Sequence, residues 1–379
     1  RQRPGALAVM KPLRETALIV SGAALLGNAR LIRRHLAGKA RMMAVVKADA
    51  YGHDLIRTAK IELAGGADAL AVALAEEGVQ LREAGIKAPV LIMGGSTPDG
   101  LRAAVQCHLA QAVYEPWAVG ILQKEADRLD TVAHAHLKID TGMTRVGTRG
   151  EAALEEMLES IRSNPRVKLE GIFTHFAAAD DDPEFTRAQN ARFVRAVARI
   201  RAEGFRPIAH AAASEATLRD STLWHDMVRP GIALYGGSVR HLLPGLTPAQ
   251  TLVTRPVRIA RVPADETVGY GRTFRTDRDS LVMTLPVGYG DGYPRLLSNR
   301  AHVLVRGKRA PLIGRVCMDM IMADVTAIPE VTMEDEVVLL GAQGAERITP
   351  DELATLTGTI SYEIMLGFTA RVPRRFDGM

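Results

Sequence analysis

The feature that most constrains the fold is a regular alternation of short apolar segments with amphipathic helical segments between residue 40 and about residue 237. Such an alternation predicts a parallel sheet, because each pair of parallel strands needs a crossover connection that is usually a helix. Eight units of this size favour a closed (β/α)8 barrel, with an open doubly wound sheet as the alternative. The predicted strands lie within residues 42–48, 69–74, 89–95, 110–115, 135–140, 169–176, 208–214 and 226–236.

The character of the sequence changes after about residue 245. Segments rich in Val, Thr and Ile are separated by tight turns, and the only strong helical pattern follows residue 348. This pattern is typical of antiparallel sheet. We therefore predict two domains: a barrel over residues 12–245, and a mostly antiparallel β domain over residues 246–379. Residues 1–11 would add an edge strand to the β domain.

Composition excludes several classes of function. The net charge of +5 is small for 379 residues, and the basic runs are short and contain no interleaved aromatics, so nucleic-acid binding is not expected. No apolar run reaches the length of a membrane span. The two cysteines, Cys107 and Cys317, have neither the number of a disulfide framework nor the spacing of a metal site. We expect a cytoplasmic protein without a metal.

One segment, residues 17–29, imitates a secretory signal because it is apolar and follows a few basic residues. However, Leu25, Ala29, Ile32 and Leu36 continue at helical spacing beyond any cleavage site. We interpret the segment as a short strand that leads into an amphipathic helix.

The stretch "MMAVVKADAYGHD" (residues 42–54) ends an apolar strand on Lys47. A lysine at such a position pays a desolvation cost unless it is neutralised, paired or covalently used. Its ammonium could simply extend back to water, which is the commonest arrangement. Alternatively, desolvation lowers the pKa of the amine and makes it a nucleophile for a Schiff base with a carbonyl cofactor.

Polar residues cluster where the predicted strands end, which is the face of a barrel that carries chemistry. The segments 211–216 and 229–237 together form a candidate phosphate cradle, with the Ser214 hydroxyl and the backbone N–H groups of Gly231 and Ile232 as donors. Each of these signals alone is typical of an ordinary turn or a solvated loop. The strand-end residues are Lys47, Tyr51, Lys138, Arg145, His175, Ser214 and Arg229.

An ordered set of motifs then spans nearly the whole chain. It comprises "AVVKADAYGHD", "LKIDTGMTRVG", "GIFTHFAAAD", "RPGIALYG", "VGYGRTF", "PVGYGDGYPR", "GRVCMDM" and "SYEIMLGFTARVPR". This set resembles the pyridoxal-phosphate-dependent alanine racemases. The resemblance implies an amino-acid racemase that interconverts L- and D-alanine by a two-base mechanism and supplies D-alanine for peptidoglycan.

The resemblance also implies roles for individual residues. Lys47 would hold pyridoxal phosphate and act as one catalytic base, and Tyr270 would be the second base, supplied by the other subunit of a homodimer. Arg229 would face the pyridine nitrogen of the cofactor, with His175 beside it. The phosphate contacts would be Tyr51, Ser214, Gly231, Ile232 and Tyr362.

The substrate carboxylate would be bound by Arg145 and by the backbone N–H of Met318. Lys138 matches a lysine that is carbamylated in many members of the family, where the added carboxylate fixes the arginine. A narrow channel to the substrate would be lined by Tyr289, Asp180, Arg295 and Arg315.

The chain departs from the family pattern at several positions. Asp49 replaces an asparagine and Asp54 a glycine, and Asp54 is expected to cap the next helix. Ala213 stands where asparagine is common, and Thr144 where glycine or asparagine is frequent. Two alternative functions stay open: a racemase of broader specificity, for serine or basic amino acids, and a non-catalytic pyridoxal-phosphate-binding protein.

Overall fold

The computed structural model describes residues 14–377, which form two compact units. The first unit comprises residues 22–249, and the second comprises residues 14–21 together with 250–377. The edge strand predicted for residues 1–11 lies outside the described residues.

The first described strand, β1 (Ala17–Ser21), confirms the strand predicted in the signal-like segment. The predicted domain boundary at residue 12 assigns this strand to the barrel domain, whereas the structure groups it with the second unit. Its hydrogen bonds join it to residues 250–253 and 374–377 of the second unit, because backbone groups pair with whichever strand lies alongside them.

The first unit is a closed barrel of eight parallel strands, as predicted. Each strand pairs with the next along the chain, and the last pairs with the first, which excludes the open-sheet alternative. Every predicted segment overlaps one observed strand. The strands are β2 (Arg41–Val45), β3 (Ala69–Val72), β4 (Val90–Ile92), β5 (Ala110–Val113), β6 (Ala133–Lys138), β7 (Val167–Phe173), β8 (Ile208–His210) and β9 (Met227–Val228).

Amphipathic helices alternate with the barrel strands, apart from the short segment α2, whose backbone is left-handed. In the first helix, the predicted stripe of Leu25, Ala29, Ile32 and Leu36 is fully buried. The expected cap is also present, since the Asp54 carboxylate accepts a hydrogen bond from the Arg57 N–H at 3.0 Å. The helices are α1 (Gly22–Leu36), α2 (Lys47–Gly52), α3 (Leu55–Ala64), α4 (Ala75–Glu83), α5 (Pro98–Gln106), α6 (Pro116–Arg128), α7 (Glu151–Arg162), α8 (Pro183–Ala202) and α9 (Ser214–Arg219).

The second unit is mostly antiparallel sheet, as predicted. Its main sheet has the order β16-β15-β18-β10-β1-β20, with β19 paired to β18, and a smaller sheet has the order β11-β14-β17. A third sheet consists of β12 and β13 alone. The strands of this unit are β10 (Gln250–Thr254), β11 (Arg258–Val262), β12 (Thr267–Val268), β13 (Phe274–Arg275), β14 (Ser280–Leu285), β15 (His302–Val305), β16 (Lys308–Pro311), β17 (Ile321–Asp324), β18 (Val337–Gln343), β19 (Glu346–Ile348) and β20 (Arg374–Asp377), and the helices are α10 (Pro350–Thr357) and α11 (Ser361–Leu366).

Both units bury apolar residues inside, and the second unit has its own core, which includes Leu18, Leu252, Met283 and Leu340. This core lies under the main sheet and explains why β1 is held there, since Leu18 is fully buried among these residues. Within residues 14–377, no helix combines the length and the apolar character needed to span a bilayer.

Candidate active site

The carboxyl end of the barrel brings four positively charged side chains close to one imidazole. The charges of Arg229, Lys138, Arg145 and Lys47 all act on His175 and, after burial itself, hold its pKa well below the usual histidine range. The sequence predicted that these five residues lie together at the strand ends. A site with this excess of positive charge is suited to an anionic ligand.

Lys47 follows β2 closely and is partly buried. Burial is the main cause that lowers its pKa; the positive charge of Arg145 adds to the effect, and the negative charge of Glu77 opposes it. The amine is therefore easier to deprotonate than that of an ordinary lysine, as a Schiff-base lysine requires.

The backbone after Lys47 takes a conformation that the sequence did not predict. Residues Ala48, Asp49, Ala50 and Tyr51 all have φ between 52° and 55°, so they form a left-handed turn without a single glycine. Each such residue costs roughly 1–2 kcal/mol, and strain of this kind persists only where surrounding contacts determine it. The turn buries Tyr51, which stacks on Tyr235 with the ring centroids 4.7 Å apart.

Ser214, Gly231 and Tyr51 converge at the candidate phosphate cradle. The Ser214 Oγ accepts hydrogen bonds from the N–H groups of Gly231 (2.9 Å) and Ala233 (3.2 Å). Because both contacts donate to the oxygen, the hydroxyl proton of Ser214 is left for another acceptor. A side chain at position 231 would collide with the Tyr51 hydroxyl, so only glycine fits there.

The Gly231 N–H, predicted as a phosphate donor, is thus engaged by Ser214 in this structure. Ala213 precedes Ser214 at the start of α9 and offers no side-chain cap to that helix. An asparagine, which is common here in the family, would supply the missing polar group.

Arg229 is 2% exposed and is fixed by hydrogen bonds that all go to neutral groups. Its Nη2 donates to the carbonyl oxygens of Thr174 (2.8 Å) and Ala211 (2.9 Å), and its Nη1 lies 2.8 Å from the Nδ1 of His210. Burial lowers the pKa of Arg229 to about 9, so the guanidinium stays charged at neutral pH. Within residues 14–377, the Nε–H and one of the two Nη1–H groups have no acceptor, so two donors remain for a ligand.

Sequence reasoning missed two histidines behind Arg229. Since arginine only donates, the His210 Nδ1 must accept, and its protonated Nε2 then donates to the His136 Nδ1 at 2.9 Å. Both rings are buried, and burial, more than the nearby charges, lowers both pKa values. The alternation "HAH" at residues 134–136 is a visible signal, but His at every second position is typical of any strand with one polar face.

Lys138 ends β6 and is 5% exposed, with its Nζ 4.4 Å from the centroid of the Phe173 ring. Burial lowers its pKa to about 7, with further lowering by Arg229 and Arg145 and partial opposition from Asp140. Much of this lysine is therefore neutral near pH 7, which is the form that reacts with carbon dioxide.

Arg145 lies in an exposed loop that a single carboxylate organises. The Asp140 Oδ1 accepts hydrogen bonds from the N–H groups of Gly142, Met143 and Thr144, each at 3.0 Å. Thr144 has φ 55°, a left-handed conformation that disfavours a branched side chain. A glycine or an asparagine would adopt this backbone conformation at a lower cost than threonine.

Most of the remaining predicted residues belong to the second unit. Tyr270 begins a 3₁₀ turn in the second unit and is 72% exposed; Met318 is 51% exposed, and both line a groove of about 710 Å³ together with Val268 and Cys317. Arg315 contacts this turn, because a side chain at Gly271 would lie 3.0 Å from its guanidinium.

Four further predicted residues lie in turns, a helix and a loop of the two units. Tyr289 and Arg295 lie in 3₁₀ turns of the second unit, and Tyr362 is half-buried in α11. Asp180 is exposed in the loop between β7 and α8 of the barrel.

The barrel mouth fits pyridoxal phosphate by the chemistry of its donors. The Tyr51 and Ser214 hydroxyls meet at a glycine that admits no Cβ, as a phosphate cradle requires. Arg229 is a buried cation without a carboxylate partner, and Lys47 is an amine with a lowered pKa. Within the described part of the chain, no group of three or more His, Cys, Asp or Glu side chains could hold a metal ion.

The chain is similar to known proteins over almost its whole length. The family "Alanine racemase, N-terminal domain" matches residues 20–239, and "Alanine racemase, C-terminal domain" matches residues 249–376. An alanine racemase from Halothermothrix orenii is 42% identical over 356 residues, which cover 92% of this chain and 93% of the relative. Another from Carboxydothermus hydrogenoformans is 43% identical over 353 residues, with coverage of 92% and 95%.

Solved structures agree with these relatives. The alanine racemase of Bacillus anthracis, solved with bound L-Ala-P, superposes with a TM-score of 0.91 at 37% identity and covers 97% of this chain and 96% of that one. The alanine racemase of Streptomyces coelicolor A3(2) gives a TM-score of 0.92 at 33% identity, with coverage of 97% and 99%. With both family domains matched in order, the chain belongs to the alanine racemase family of pyridoxal-phosphate-dependent isomerases.

Proposed function

We propose that this chain interconverts L- and D-alanine with pyridoxal phosphate held by Lys47. The observation that carries the proposal is the joint presence, in one barrel mouth, of a lysine with a lowered pKa and a buried arginine whose partners are all neutral. Lys47 would attach the cofactor and act as a base, and Arg229 would supply a charged donor for the ring nitrogen of the cofactor.

Tyr51, Ser214, Gly231, Ile232 and Tyr362 would hold the phosphate of the cofactor. The free hydroxyl proton of Ser214 and the close approach permitted by Gly231 support this assignment for the barrel residues. His175, whose pKa is lowered by burial and then by the surrounding cations, would contact the cofactor ring without adding charge to the site.

Arg229 would set the choice of reaction. Pyridoxal phosphate, when bound, withdraws electron density from the substrate Cα and so weakens its bond to hydrogen. Arg229 would donate to the ring nitrogen and keep its own proton, so that nitrogen would stay unprotonated and the withdrawal would stay weak. The proton is then returned to Cα quickly, which favours racemisation over amino-group transfer.

Racemisation needs a base on each side of the substrate Cα. Lys47 would remove or return the proton on one side, and Tyr270 would do so on the other. Arg145 and the backbone N–H of Met318 would bind the substrate carboxylate between them. Asp140 supports the first of these contacts, because it holds the loop that carries Arg145.

Each site would be shared between two copies of the chain in a homodimer. Tyr270 and Met318 are exposed on a groove of the second unit, whereas Lys47 lies in the barrel. We assign Tyr270, Met318 and the channel residues Tyr289, Arg295 and Arg315 to the partner copy, and Asp180 to the copy that supplies the lysine.

The proposed setting is the bacterial cytoplasm, where D-alanine feeds peptidoglycan synthesis. A racemase of broader specificity, for serine or basic amino acids, is the alternative activity. A pyridoxal-phosphate carrier is the alternative without catalysis, and it is disfavoured because a carrier does not need a second base.

The activity is tested by incubating the purified chain with a panel of single L-amino acids and measuring the D-enantiomer by chiral chromatography. We expect alanine to be racemised fastest. Faster turnover of serine, lysine or arginine would contradict the proposed substrate, and no turnover of any amino acid would leave only the carrier.

Sharing of the site is tested by mixing Lys47→Ala and Tyr270→Ala dimers, each inactive alone. After subunit exchange, a hybrid holds one intact site, so activity should return. Exchange proven by mass spectrometry without recovery of activity would refute the shared site.

A further inference from the structure

The Glu77 carboxylate binds the backbone of two different barrel loops. Its Oε1 accepts a hydrogen bond from the Ala48 N–H at 2.5 Å, directly after Lys47. Its Oε2 accepts from the N–H groups of Ala73 (2.8 Å) and Leu74 (3.1 Å), which follow β3. One side chain near the start of α4 therefore joins the loop after β2 to the loop after β3.

The loop that Glu77 holds is the strained one. Ala48 is the first residue of the left-handed turn that continues to Tyr51, and its N–H is the donor to Glu77. Further along, the Asp49 Oδ1 accepts a hydrogen bond from the Leu55 N–H at 2.8 Å. The two carboxylates thus fix successive parts of a turn that the backbone alone would not adopt.

The negative charge of Glu77 also acts on the amine of Lys47. The charged and titratable groups around this amine are Arg145, His175 and Glu77. Arg145 favours the neutral amine, and Glu77 favours the charged form. The Glu77 carboxylate therefore limits how far the charge of Arg145 lowers the pKa of Lys47.

We propose that Glu77 is a positioning residue for Lys47: it anchors the strained turn that follows the lysine and balances the charge of Arg145. The proposal deepens the function above and rests on the assignment of Lys47 as the reactive lysine. It concerns a residue that the sequence did not single out, because its contacts come from chain segments about 4 and 29 residues away.

Glu77→Gln is the main test, in the full-length chain after removal of the cofactor. A glutamine presents one acceptor and one donor to three backbone N–H groups, so at least one of these groups loses its acceptor. We expect faster amide hydrogen exchange at residues 48–51 and 73–74. Removal of the negative charge should also increase acetylation of Lys47 by acetic anhydride at pH 7.5 by at least about threefold, measured by mass spectrometry.

Glu76→Gln is the matched control. It removes the same charge from the neighbouring position, where the side chain is exposed and makes no hydrogen bond or ion pair within residues 14–377. We expect it to leave both measurements unchanged. Equal effects of the two glutamine substitutions would overturn the proposal.

Glu77→Asp distinguishes the effect of side-chain length from the effect of charge. It also serves as the test variant if Glu77→Gln does not fold. It keeps the carboxylate but withdraws it by one methylene, so exchange at Ala48 should accelerate while Lys47 acetylation changes less than in Glu77→Gln. Unchanged exchange at Ala48 in this variant would refute the anchoring role.

The pH profile of Lys47 acetylation distinguishes a wrong assignment of Lys47 from a wrong role for Glu77. A Lys47 midpoint in the ordinary lysine range would contradict the assignment of Lys47 as the reactive lysine. A lowered midpoint that Glu77→Gln leaves unmoved would contradict only the role of Glu77.

Discussion

Lys138 should form a carbamate with carbon dioxide because burial keeps much of its amine neutral. Its pKa is lowered from 10.5 to about 7, so at pH 8 about nine-tenths of the chains carry the neutral amine. A lysine with the ordinary value would be neutral in only about 0.3% of chains at that pH. The reactive fraction is thus raised about 300-fold by burial and by the charges of Arg229 and Arg145.

In this reaction the amine nitrogen bonds to the carbon of carbon dioxide and releases one proton, which leaves a carbamate anion. At pH 8 the product replaces a mostly neutral amine with an anion beside Arg229 and Arg145, whose positive charges disfavour an ammonium at this position and favour an anion. The carbamate should therefore be stabilised within the site as well as formed there.

The assay is carbon-13 NMR of the protein in labelled bicarbonate. We expect one carbamate signal per chain at pH 8 and a much weaker signal at pH 6, where Lys138 is mostly protonated. Lys138→Met should abolish the signal, and Lys168→Met, which removes an exposed lysine on β7, should not. A signal that persists in Lys138→Met, or its absence from the wild type at pH 8, would refute the reasoning.

Three further predictions concern single side chains. Ser214→Ala deprives the N–H groups of Gly231 and Ala233 of their acceptor, so it should lower the free energy of unfolding by about 1–3 kcal/mol and weaken cofactor binding. Urea unfolding measures the first effect and absorbance titration the second. No change in either quantity would contradict the cradle. Glu62 is fully buried, and neither of its carboxylate oxygens has a hydrogen-bond partner among the described residues. Burial raises its pKa well above the usual range. Above pH 4.5 the native state therefore holds a proton on Glu62 that the unfolded state has released. Wild-type stability should therefore fall as pH rises, relative to Glu62→Gln, by up to about 1.4 kcal/mol per pH unit, and a difference that stays constant between pH 5 and pH 8 would disprove this. Tyr270→Phe should lose at least about 100-fold in racemisation but retain deuterium exchange at the Cα of D-alanine, whereas equal loss of exchange for both enantiomers would make Tyr270 a structural residue.

Periodicity alone predicted most of the architecture. The eight barrel strands were visible because a strand covered on both faces must be apolar along its length, and the helices because one face must be. The residues at the strand ends could also be predicted, because the carboxyl ends of the strands meet at one face of a barrel and several polar side chains cluster there. Lys47, Lys138, His175 and Arg229 were all found in this way, and their proximity in the barrel follows from the topology.

Resemblance supplied what local patterns could not. Nothing in the β unit distinguishes Tyr270 or Tyr289 from other tyrosines, and their assignment depends on the ordered motifs around them. The exposure of Tyr270 is consistent with a group that acts on a partner copy, but exposure by itself carries no chemistry.

By itself, the sequence determined the order and type of the elements, because apolar spacing is a local property. Only the tertiary structure decided which distant groups meet. It assigned β1 to the sheet of the second unit, linked His136 through His210 to Arg229, and brought Glu77 to the backbone after Lys47. The left-handed turn from Ala48 to Tyr51 also required the fold, since these residues would avoid that conformation unless contacts from elsewhere in the chain held it.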